Sequence, residues 1–420
     1  MSPPRIDAER LYASLQELGR IGAYRDEQSG LMGVRRLALT PPEAAGRRWV
    51  VDQMRALDLA VRVDRIGNVY AHRRGLRPEL APVLIGSHID SVATAGIFDG
   101  CLGVLGGLEV IRALDEAGVE TVRPIEVAFF SEEEGARFGT DMLGSAVATG
   151  RIPLEQAYAL IDRGGVSVRE ALEAIGFLGE APELLDPPHA YLEVHIEQGP
   201  TLAARGLELG VVTGVQAISW RELQLTGKSA HAGTTPTELR CDAGLVAAQI
   251  AVEVRRMATS GEFRDLRGTV GVLRPHPGLV NVIPGRCDMT VDLRSPDDAA
   301  LEAAEAHISA FVERVAAEEK VALESRQTAR TATVRFDERL QERIASAADQ
   351  AGLRYERLVS GAGHDAQEMA SICPSAMIFV PGENEGISHN PRELSTPEQC
   401  AAGVSVLLEV ALGLAQEEDA

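Results

Sequence analysis

The chain has 420 residues, more than one ordinary hydrophobic core supports, which indicates two domains. Hydrophobic residues make up 45% and charged residues 25%, a globular composition that excludes extensive disorder. The formal net charge of −21 argues against nucleic acid and anionic membranes as partners, because a negative surface repels both.

Cysteine usage and hydropathy predict a location in the cytoplasm. The five cysteines are scattered, odd in number and never spaced C-x-x-C, which argues against a disulfide framework and a thiolate zinc site. The first residues show no apolar signal-peptide core. No stretch approaches the roughly 18 consecutive apolar residues of a membrane span.

Strand and helix patterns alternate in the first half of the chain. A leucine-rich helical face follows Ile6, another helix runs from Leu102 to Leu114, and capping-box sequences at Thr40 and Ser167 predict two further helix starts. Strands, the first two of them a hairpin, are predicted at 61–63, 68–70, 83–85, 125–130 and 191–196. This order is typical of an α/β sheet with crossover helices.

The pattern changes near residue 214 and returns to the α/β style after residue 328. Between these points we predict strands at 220–225, 269–273 and 287–293, and helices at 243–257 and after 296. A strand at 376–380 and a helix after Thr396 follow. The domains are therefore a discontinuous one, 1–213 with 329–420, and a smaller α+β domain inserted at 214–328.

Hard metal ligands stand at the ends of predicted strands or in the loops beyond them, where α/β sheets carry their sites. They are His88, Asp99, Glu133, Glu134 and His195, with His389 as a further candidate near the C-terminus. Each has an ordinary alternative: a hydrogen-bonded histidine, a turn at Asp99-Gly100, or a solvated run of glutamates. Their common location favours a site for zinc, manganese or cobalt.

These residues resemble the M20 metallopeptidase-like amidohydrolases, and most closely the branch of N-carbamoyl-L-amino acid hydrolases, allantoate amidohydrolases and β-ureidopropionases. Nearly the whole chain carries the resemblance, in GSHID (86–90), FDG (98–100), EEGARF (133–138), HIEQGP (195–200), GKSAHAGTTP (227–236), NVIPG (281–285), DLR (292–294), GAGHDA (361–366) and SHN (388–390). HIEQGP and HAGTTP are specific to the amidohydrolase branch. Ser91 and Ala95 depart from it, since Thr and a second Gly are commoner there, but neither is a proposed ligand.

The resemblance implies a mixed-sheet, three-layer α/β metallohydrolase domain with an inserted lid and dimerisation domain. It implies two divalent ions, Zn²⁺ or alternatively Mn²⁺, Co²⁺ or Ni²⁺. His88 and His195 would be terminal ligands of one ion, Glu134 and His389 of the other, and Asp99 would bridge them. Glu133 stands at the position of the family's general base. That base takes a proton from the attacking water and returns it to the leaving nitrogen.

Substrate contacts are also implied by the resemblance. His231 would polarise the scissile carbonyl, Arg294 would clamp the substrate carboxylate, and Asn281 would add a hydrogen bond. Gln198 would bind the ureido or the carboxylate end of the substrate. His364 would lie near the substrate, with no role assigned to it. The alternative for Arg294 is an ion pair with Asp292, its neighbour on the same face of a strand.

We therefore predict a binuclear amidohydrolase that converts an N-carbamoyl-L-amino acid to the amino acid, carbon dioxide and ammonia. The alternatives are hydrolysis of allantoate or β-ureidopropionate, hydrolysis of peptides or N-acyl amino acids, or a non-catalytic metal-binding protein. The expected partners are a small ureido or amide carboxylate and, through the inserted domain, a second copy of the chain. Serine-hydrolase, P-loop and dinucleotide-binding motifs are absent.

Overall fold

A computed structural model describes residues 3–418. The chain divides into two compact units, of which unit 1 ends at Val215 and resumes at Arg335, and unit 2 is Gln216–Val334. Each unit has its own cluster of buried apolar side chains.

Unit 1 begins with alternating strands and helices. Its first segment contains α1 (Ala8–Arg20), β1 (Ala23–Arg25), β2 (Met32–Val34), α2 (Pro41–Ala56), β3 (Ala60–Val63), β4 (Val69–Arg73), β5 (Val83–His88), α3 (Cys101–Glu116), β6 (Ile125–Phe130), α4 (Leu143–Ala148), α5 (Leu154–Tyr158), α6 (Val168–Ile175), β7 (Ala190–Ile196), α7 (Thr201–Arg205) and β8 (Leu209–Val215).

Unit 2 follows, and unit 1 then resumes. Unit 2 contains β9 (Ala217–Thr226), β10 (Ala230–His231), α8 (Ala243–Thr259), β11 (Arg267–Thr269), β12 (Leu273–His276), β13 (Val282–Ile283), β14 (Arg286–Ser295), α9 (Asp298–Glu318) and β15 (Ala322–Thr331). After β16 (Val334–Arg335), which crosses the unit boundary, come α10 (Glu338–Gln350), β17 (Tyr355–Ser360), α11 (Asp365–Met369), β18 (Ser375–Val380) and α12 (Pro397–Ala415).

A mixed sheet forms the centre of unit 1, as predicted. Among the described residues it has nine strands in the order β16-β8-β18-β7-β5-β6-β4-β3, with β17 also paired to β8. The central neighbours β18, β7, β5 and β6 run parallel, whereas β3, β4 and β8 add antiparallel pairs. Every residue of the central strands is buried, which explains their nearly continuous apolar sequences.

Helices cover the central strands. Helices α3 and α12 contact these strands and each other, and α11 contacts the same strands and α4. Helix α12 has the length and apolar composition of a membrane span, but most of its window is buried inside the protein. It therefore has the burial of a core helix.

The local sequence predictions need two corrections. Thr40 precedes α2 but caps no amide, because its hydroxyl donates to the Leu37 carbonyl while Glu43 pairs with Arg47. The strand predicted over 269–273 is two short strands, β11 and β12, with an interruption between them. The capping box at Ser167 is confirmed, as is the hairpin formed by β3 and β4.

Unit 2 is an antiparallel sheet covered by two helices. Its strand order is β11-β14-β9-β15, with β12 also paired to β14, and α8 and α9 pack on the sheet and on each other. Strand β14 alternates between apolar and polar residues, and the apolar ones are buried, as the sequence predicts. A separate two-stranded pair, β10 with β13, places Ala230 opposite Ile283 and His231 opposite Val282.

Candidate metal centre

Three parallel strands of unit 1 deliver the first candidate ligands to one edge of the sheet. His88 is the last residue of β5, His195 is the penultimate residue of β7, and Glu133 and Glu134 follow the end of β6. Because β5 pairs in parallel with both β6 and β7, the carboxyl ends of all three strands lie side by side. Asp99 lies just before α3, and His389 lies in the segment before α12.

The predicted ligands form two groups that share Asp99. Ligand atoms of His88, Asp99 and His195 lie within 4.8 Å of one another, and the same holds for Asp99, Glu134 and His389. The two carboxylate oxygens of Asp99 divide between the groups. Oδ1 is 3.6 Å from His88 Nε2 and 3.2 Å from His195 Nε2, whereas Oδ2 is 3.4 Å from His389 Nε2.

The two buried imidazoles present the same nitrogen to this space. His88 Nδ1 lies 3.1 Å from the Asp90 carbonyl oxygen, and His195 Nδ1 lies 2.8 Å from the Ile196 carbonyl oxygen. A carbonyl only accepts hydrogen bonds, so each Nδ1 carries the proton when the ring is neutral, and Nε2 keeps a lone pair. This arrangement is usual for histidines that ligate metal ions.

The charge balance at this edge favours a cation. Among residues 3–418, the salt bridges of Asp99, Glu133 and Glu134 go only to histidines. Burial opposes ionisation of Asp99, but hydrogen bonds from the histidines hold its pKa well below the usual range. Burial also opposes protonation of His389, yet Asp99 and Glu134 raise its pKa to about 11. Protons and a metal ion would therefore compete for the same nitrogens.

Glu133 lies beside the ligands without belonging to either group. Its Oε2 is 3.4 Å from His88 Nε2, and its side chain is buried. Burial raises the pKa of Glu133 well above its usual value, with His88 opposing the shift. The preceding Glu132 has a φ of 54°, so the chain turns sharply where β6 has ended. Consecutive glutamates therefore both reach the centre, which a regular strand would forbid.

Backbone amides fix the two glutamates. The N–H groups of Glu133 and Glu134 each donate to Asp90, at 3.3 Å, and Val92 N–H donates to Glu134 Oε1 at 3.2 Å. Glu134 Oε2 is left 3.2 Å from His389 Nε2. The donor set of imidazole nitrogens and carboxylate oxygens, one of them shared, fits two divalent ions of the zinc or manganese type.

Comparison with known proteins identifies the family of the chain. The sequence model of the peptidase family M20/M25/M40 matches residues 84–413. The chain belongs to this family. The N-carbamoyl-L-amino-acid amidohydrolase of Rhizobium meliloti is 40% identical over 98% of this chain and 97% of its own. The ureidoglycolate hydrolase of Arabidopsis thaliana is 35% identical over 96% of this chain and 85% of its own.

The fold is also that of a solved amidase of the hydantoinase/carbamoylase family. The crystal structure of a hydantoinase/carbamoylase family amidase from Burkholderia vietnamiensis matches with a TM-score of 0.94 and 43% sequence identity, over 98% of both chains. The mixed α/β fold expected for an M20 protein is therefore confirmed.

Two further predicted residues of this M20 protein lie at the same edge. Gln198, at a φ of 54°, donates from Nε2 to Asp99 Oδ2 at 2.7 Å, so it contacts the shared carboxylate directly. The His364 ring lies 4.5 Å from the His195 ring, and its Nε2 is 2.9 Å from Ser360 Oγ. His364 also forms a compact buried group with Glu193 and His195.

The other three predicted residues lie in unit 2. His231 and Asn281 are brought together there, because β10 pairs with β13 and Ala232 N–H donates to the Asn281 carbonyl at 3.0 Å. His231 Nδ1 accepts the Gly233 N–H at 3.0 Å, so in the neutral ring the exposed Nε2 carries the proton. Arg294 Nε and Nη2 both contact Asp292, at 2.9–3.1 Å, which is the ion pair named as its alternative role.

Sequence reasoning assigned no role to several polar residues around the centre. Asp90 appeared within GSHID without a function, and Ser388 within SHN, yet both contact the ligand-bearing segments. Glu193 is buried beneath His195, and Glu393 accepts the amides of Phe98 and Asp99. Glu193 is a charged residue within the mainly apolar sequence of β7, which is a usable signal. Nothing local marks Glu393.

Proposed function

We propose that this protein is a metal-dependent amidohydrolase that cleaves the carbamoyl C–N bond of N-carbamoyl-L-amino acids. The observation that carries the proposal is the shared carboxylate of Asp99, whose two oxygens face two ligand groups, with Glu133 beside them. The name of the Rhizobium relative supplies the substrate class. The net reaction consumes one water and yields the amino acid, carbon dioxide and ammonia.

We assign the ligands by the two groups. His88, His195 and Asp99 would hold one divalent ion, and Glu134, His389 and Asp99 the other, with Zn²⁺ expected and Mn²⁺, Co²⁺ or Ni²⁺ as alternatives. When bound, such ions polarise a carbonyl and make water more acidic, which favours attack at neutral pH. Two neighbouring dications repel each other, and the shared carboxylate offsets part of that repulsion.

Glu133 moves the proton in this proposal. Its carboxylate accepts a proton from the attacking water and later donates it to the leaving nitrogen. A raised pKa suits this exchange, since the group must both accept and release a proton. The buried surroundings limit access of bulk water to that proton.

His231, Asn281 and Arg294 recognise the substrate in this proposal. The protonated Nε2 of His231 is a donor for the developing oxyanion, an interaction type worth about 3–4 kcal/mol in the transition state. Asn281 adds a hydrogen bond. Arg294 clamps the carboxylate and must share its guanidinium with Asp292 or exchange one partner for the other. Gln198 and His364 are the remaining substrate contacts of the proposal.

A second substrate class has a specific observation in its favour. The Arabidopsis relative is a ureidoglycolate hydrolase, so a ureido compound with a different carboxylate-bearing part is the alternative. The two classes share a terminal ureido group and a carboxylate, and they differ in the size and polarity of the group between them.

A substrate panel tests the proposal. Ammonia release would be measured from N-carbamoyl-L-methionine, N-carbamoyl-β-alanine, allantoate and ureidoglycolate, and methionine release from N-acetyl-L-methionine, each with and without a chelator. We expect the highest kcat/KM for the N-carbamoyl-L-amino acid and complete loss with the chelator, reversed by added metal. Faster ammonia release from ureidoglycolate or allantoate would identify that compound as the substrate instead. Hydrolysis that resists the chelator would contradict the mechanism.

We also propose that unit 2, as lid and dimerisation domain, joins two copies of the chain. Helix α8 exposes Leu245 and Val252, the latter 71% exposed, and burial of such side chains favours association. Light scattering after size exclusion would give the mass of a dimer, and a monomer at micromolar concentration would contradict the proposal. The predicted cytoplasmic location and the absence of nucleic acid or membrane partners stay predictions.

A further inference from the structure

Two of the ligand-bearing segments have little regular structure to hold them. Asp99 ends an irregular stretch that follows β5, and His389 lies between β18 and α12, after a single 3-10 turn at Asn384–Gly386. The His389 backbone has a φ of 56°, and its side chain is 49% exposed. A non-glycine residue in this left-handed region costs about 1–3 kcal/mol, so surrounding contacts must hold it.

One buried carboxylate joins the two segments. Glu393 Oε1 accepts the Phe98 N–H at 3.0 Å and the Asp99 N–H at 3.2 Å. Glu393 Oε2 lies 2.7 Å from Ser388 Oγ, and the same Oγ lies 2.8 Å from Asp99 Oδ2. The Glu393 side chain therefore contacts the backbone of Asp99 and, through Ser388, its carboxylate.

The two segments interlock around this side chain. A Cβ at Gly96 would lie 2.5 Å from both Glu393 Cβ and Oε1, so the carboxylate occupies the space that any other residue at position 96 would need. Glu393 N–H donates to the Asn390 carbonyl at 2.9 Å, and Thr94 Oγ1 donates to the His389 carbonyl at 3.0 Å. The Gly96 and Thr94 contacts tie the His389 segment to the Asp99 segment, and the Asn390 contact holds the His389 segment itself.

The surroundings of Glu393 differ from those of buried carboxylates that pair with an arginine. Buried Glu43 and Glu109 are paired with Arg47 and Arg10. In the part of the chain that the structure describes, no Lys or Arg forms a salt bridge with Glu393, and its nearest charged neighbour through Ser388 is another carboxylate. Two buried carboxylates so arranged repel each other unless a nearby cation compensates them or one of them is protonated.

We propose that Glu393 is a positioning residue that holds Asp99 and His389 in register for metal binding. The inference rests on the proposed function, because it needs the metal centre described above. Residues that orient metal ligands through hydrogen bonds typically change metal affinity or activity about 10–100-fold when they are removed. Glu393 contacts the segments of one shared and one terminal ligand, so its loss should weaken binding at both ion positions.

Metal affinity measures this role without relying on turnover. Apo protein would be titrated with Zn²⁺ against a chromophoric chelator, and bound metal would be counted after dialysis. We expect Glu393→Ala to bind Zn²⁺ about 10–100-fold more weakly than the wild type. Glu393→Gln should lie between the two, because its amide oxygen still accepts the two backbone N–H groups but Ser388 loses a carboxylate acceptor.

Matched variants separate positioning from general stability. Glu109→Gln removes a buried carboxylate of α3 that pairs with Arg10, so it should lower stability while its zinc affinity equals that of the wild type. Ser388→Ala removes only the hydroxyl link and should weaken zinc binding several-fold, which keeps the test decisive if Glu393→Ala fails to fold. Wild-type zinc affinity in Glu393→Gln and Ser388→Ala would overturn the inference, as would an equal loss in Glu109→Gln.

The outcome also separates this inference from the proposed function. If the wild type binds no divalent metal, the proposed function fails with it. If the wild type binds metal and hydrolyses ureido substrates while the Glu393 variants bind metal equally well, only the positioning role is wrong.

Discussion

Asp99 is followed by a glycine that no other residue can replace without moving a ligand. Gly100 has a φ of 65°, and a Cβ there would lie only 2.4–2.5 Å from three atoms of the His88 imidazole ring. The resemblance in sequence names FDG as a motif, and the structure supplies its physical reason. Close approach of the backbone to the His88 ring requires the absence of a side chain.

We expect Gly100→Ala to weaken metal binding by at least about 10-fold, as loss of an orienting contact does. Gly176→Ala is the matched control, because its φ of 74° is similarly strained but a Cβ there meets nothing within 4 Å. Both variants should lose about 1 kcal/mol from left-handed strain. Zinc titration of the two proteins measures the difference, and equal affinities would refute the role of the glycine.

Variants of Glu133 and Glu134 test whether these neighbouring glutamates have different roles. We expect Glu133→Gln to keep the fold and the bound metal but to lower kcat about 10²–10⁴-fold, because an amide cannot accept the proton. Glu134→Gln should instead lower the metal content, since it removes a ligand oxygen near His389. Metal analysis beside steady-state kinetics distinguishes these results. Near-normal turnover in Glu133→Gln would end the proton-transfer role.

Arg294 tests substrate recognition. A hydrogen bond to a charged group contributes about 1.5–3 kcal/mol, so Arg294→Ala should raise KM about 10-fold or more for N-carbamoyl-L-amino acids. Neutral ureas lack the carboxylate and should be affected much less. Since Arg294 also pairs with Asp292, the variant Asp292→Asn controls for loss of the ion pair alone. An equal KM change for charged and neutral substrates in Arg294→Ala would exclude the clamp.

At the scale of elements, helix α3 is pressed against the strands that carry the histidines. A Cβ at Gly103 would lie 2.7 Å from Ser87 Cβ on β5 and 2.9 Å from the Val194 carbonyl on β7. The exposed Gly413 of α12 has open space instead, since its nearest neighbour would be Arg343 Nη1 at 3.7 Å. The same substitution should therefore have opposite effects in the two helices.

We expect Gly103→Ala to lower the free energy of unfolding by about 1–3 kcal/mol through overpacking. Gly413→Ala should raise it by about 0.5–1 kcal/mol, because alanine is the better helix former. Urea denaturation of both variants measures the two signs. An unchanged free energy of unfolding in Gly103→Ala would show that α3 lies further from the sheet than these distances indicate.

Elements were predictable where one segment contains its own signal. Four strands were predicted from such signals, namely β5, β6, β18 and β14. The first three are buried on both faces and have nearly continuous apolar sequences, whereas β14 is buried on one face and alternates between apolar and polar residues. The capping box at Thr40 failed because Glu43 is drawn to the buried Arg47, a tertiary ion pair. The role of Glu393 was not predictable, since its partners Phe98 and Asp99 lie nearly 300 residues earlier.

At the scale of the whole molecule, the negative charge has a consequence at the centre. The chain has a net charge of −21, and several of its buried carboxylates lie at one sheet edge. Among the described residues, the salt bridges of Asp99, Glu133 and Glu134 involve only histidines. Such an arrangement attracts cations more than anions. We therefore expect the metal ions to bind before an anionic substrate.

Reconstitution of the metal-free protein tests this account most directly. Apo protein prepared with a chelator would be titrated with Zn²⁺ or Mn²⁺ while ammonia release from N-carbamoyl-L-methionine is followed. We expect no hydrolysis without metal and a rise in activity that saturates at two equivalents per chain. Full hydrolysis by the metal-free protein, or none at any metal concentration with any ureido substrate of the panel, would contradict the account.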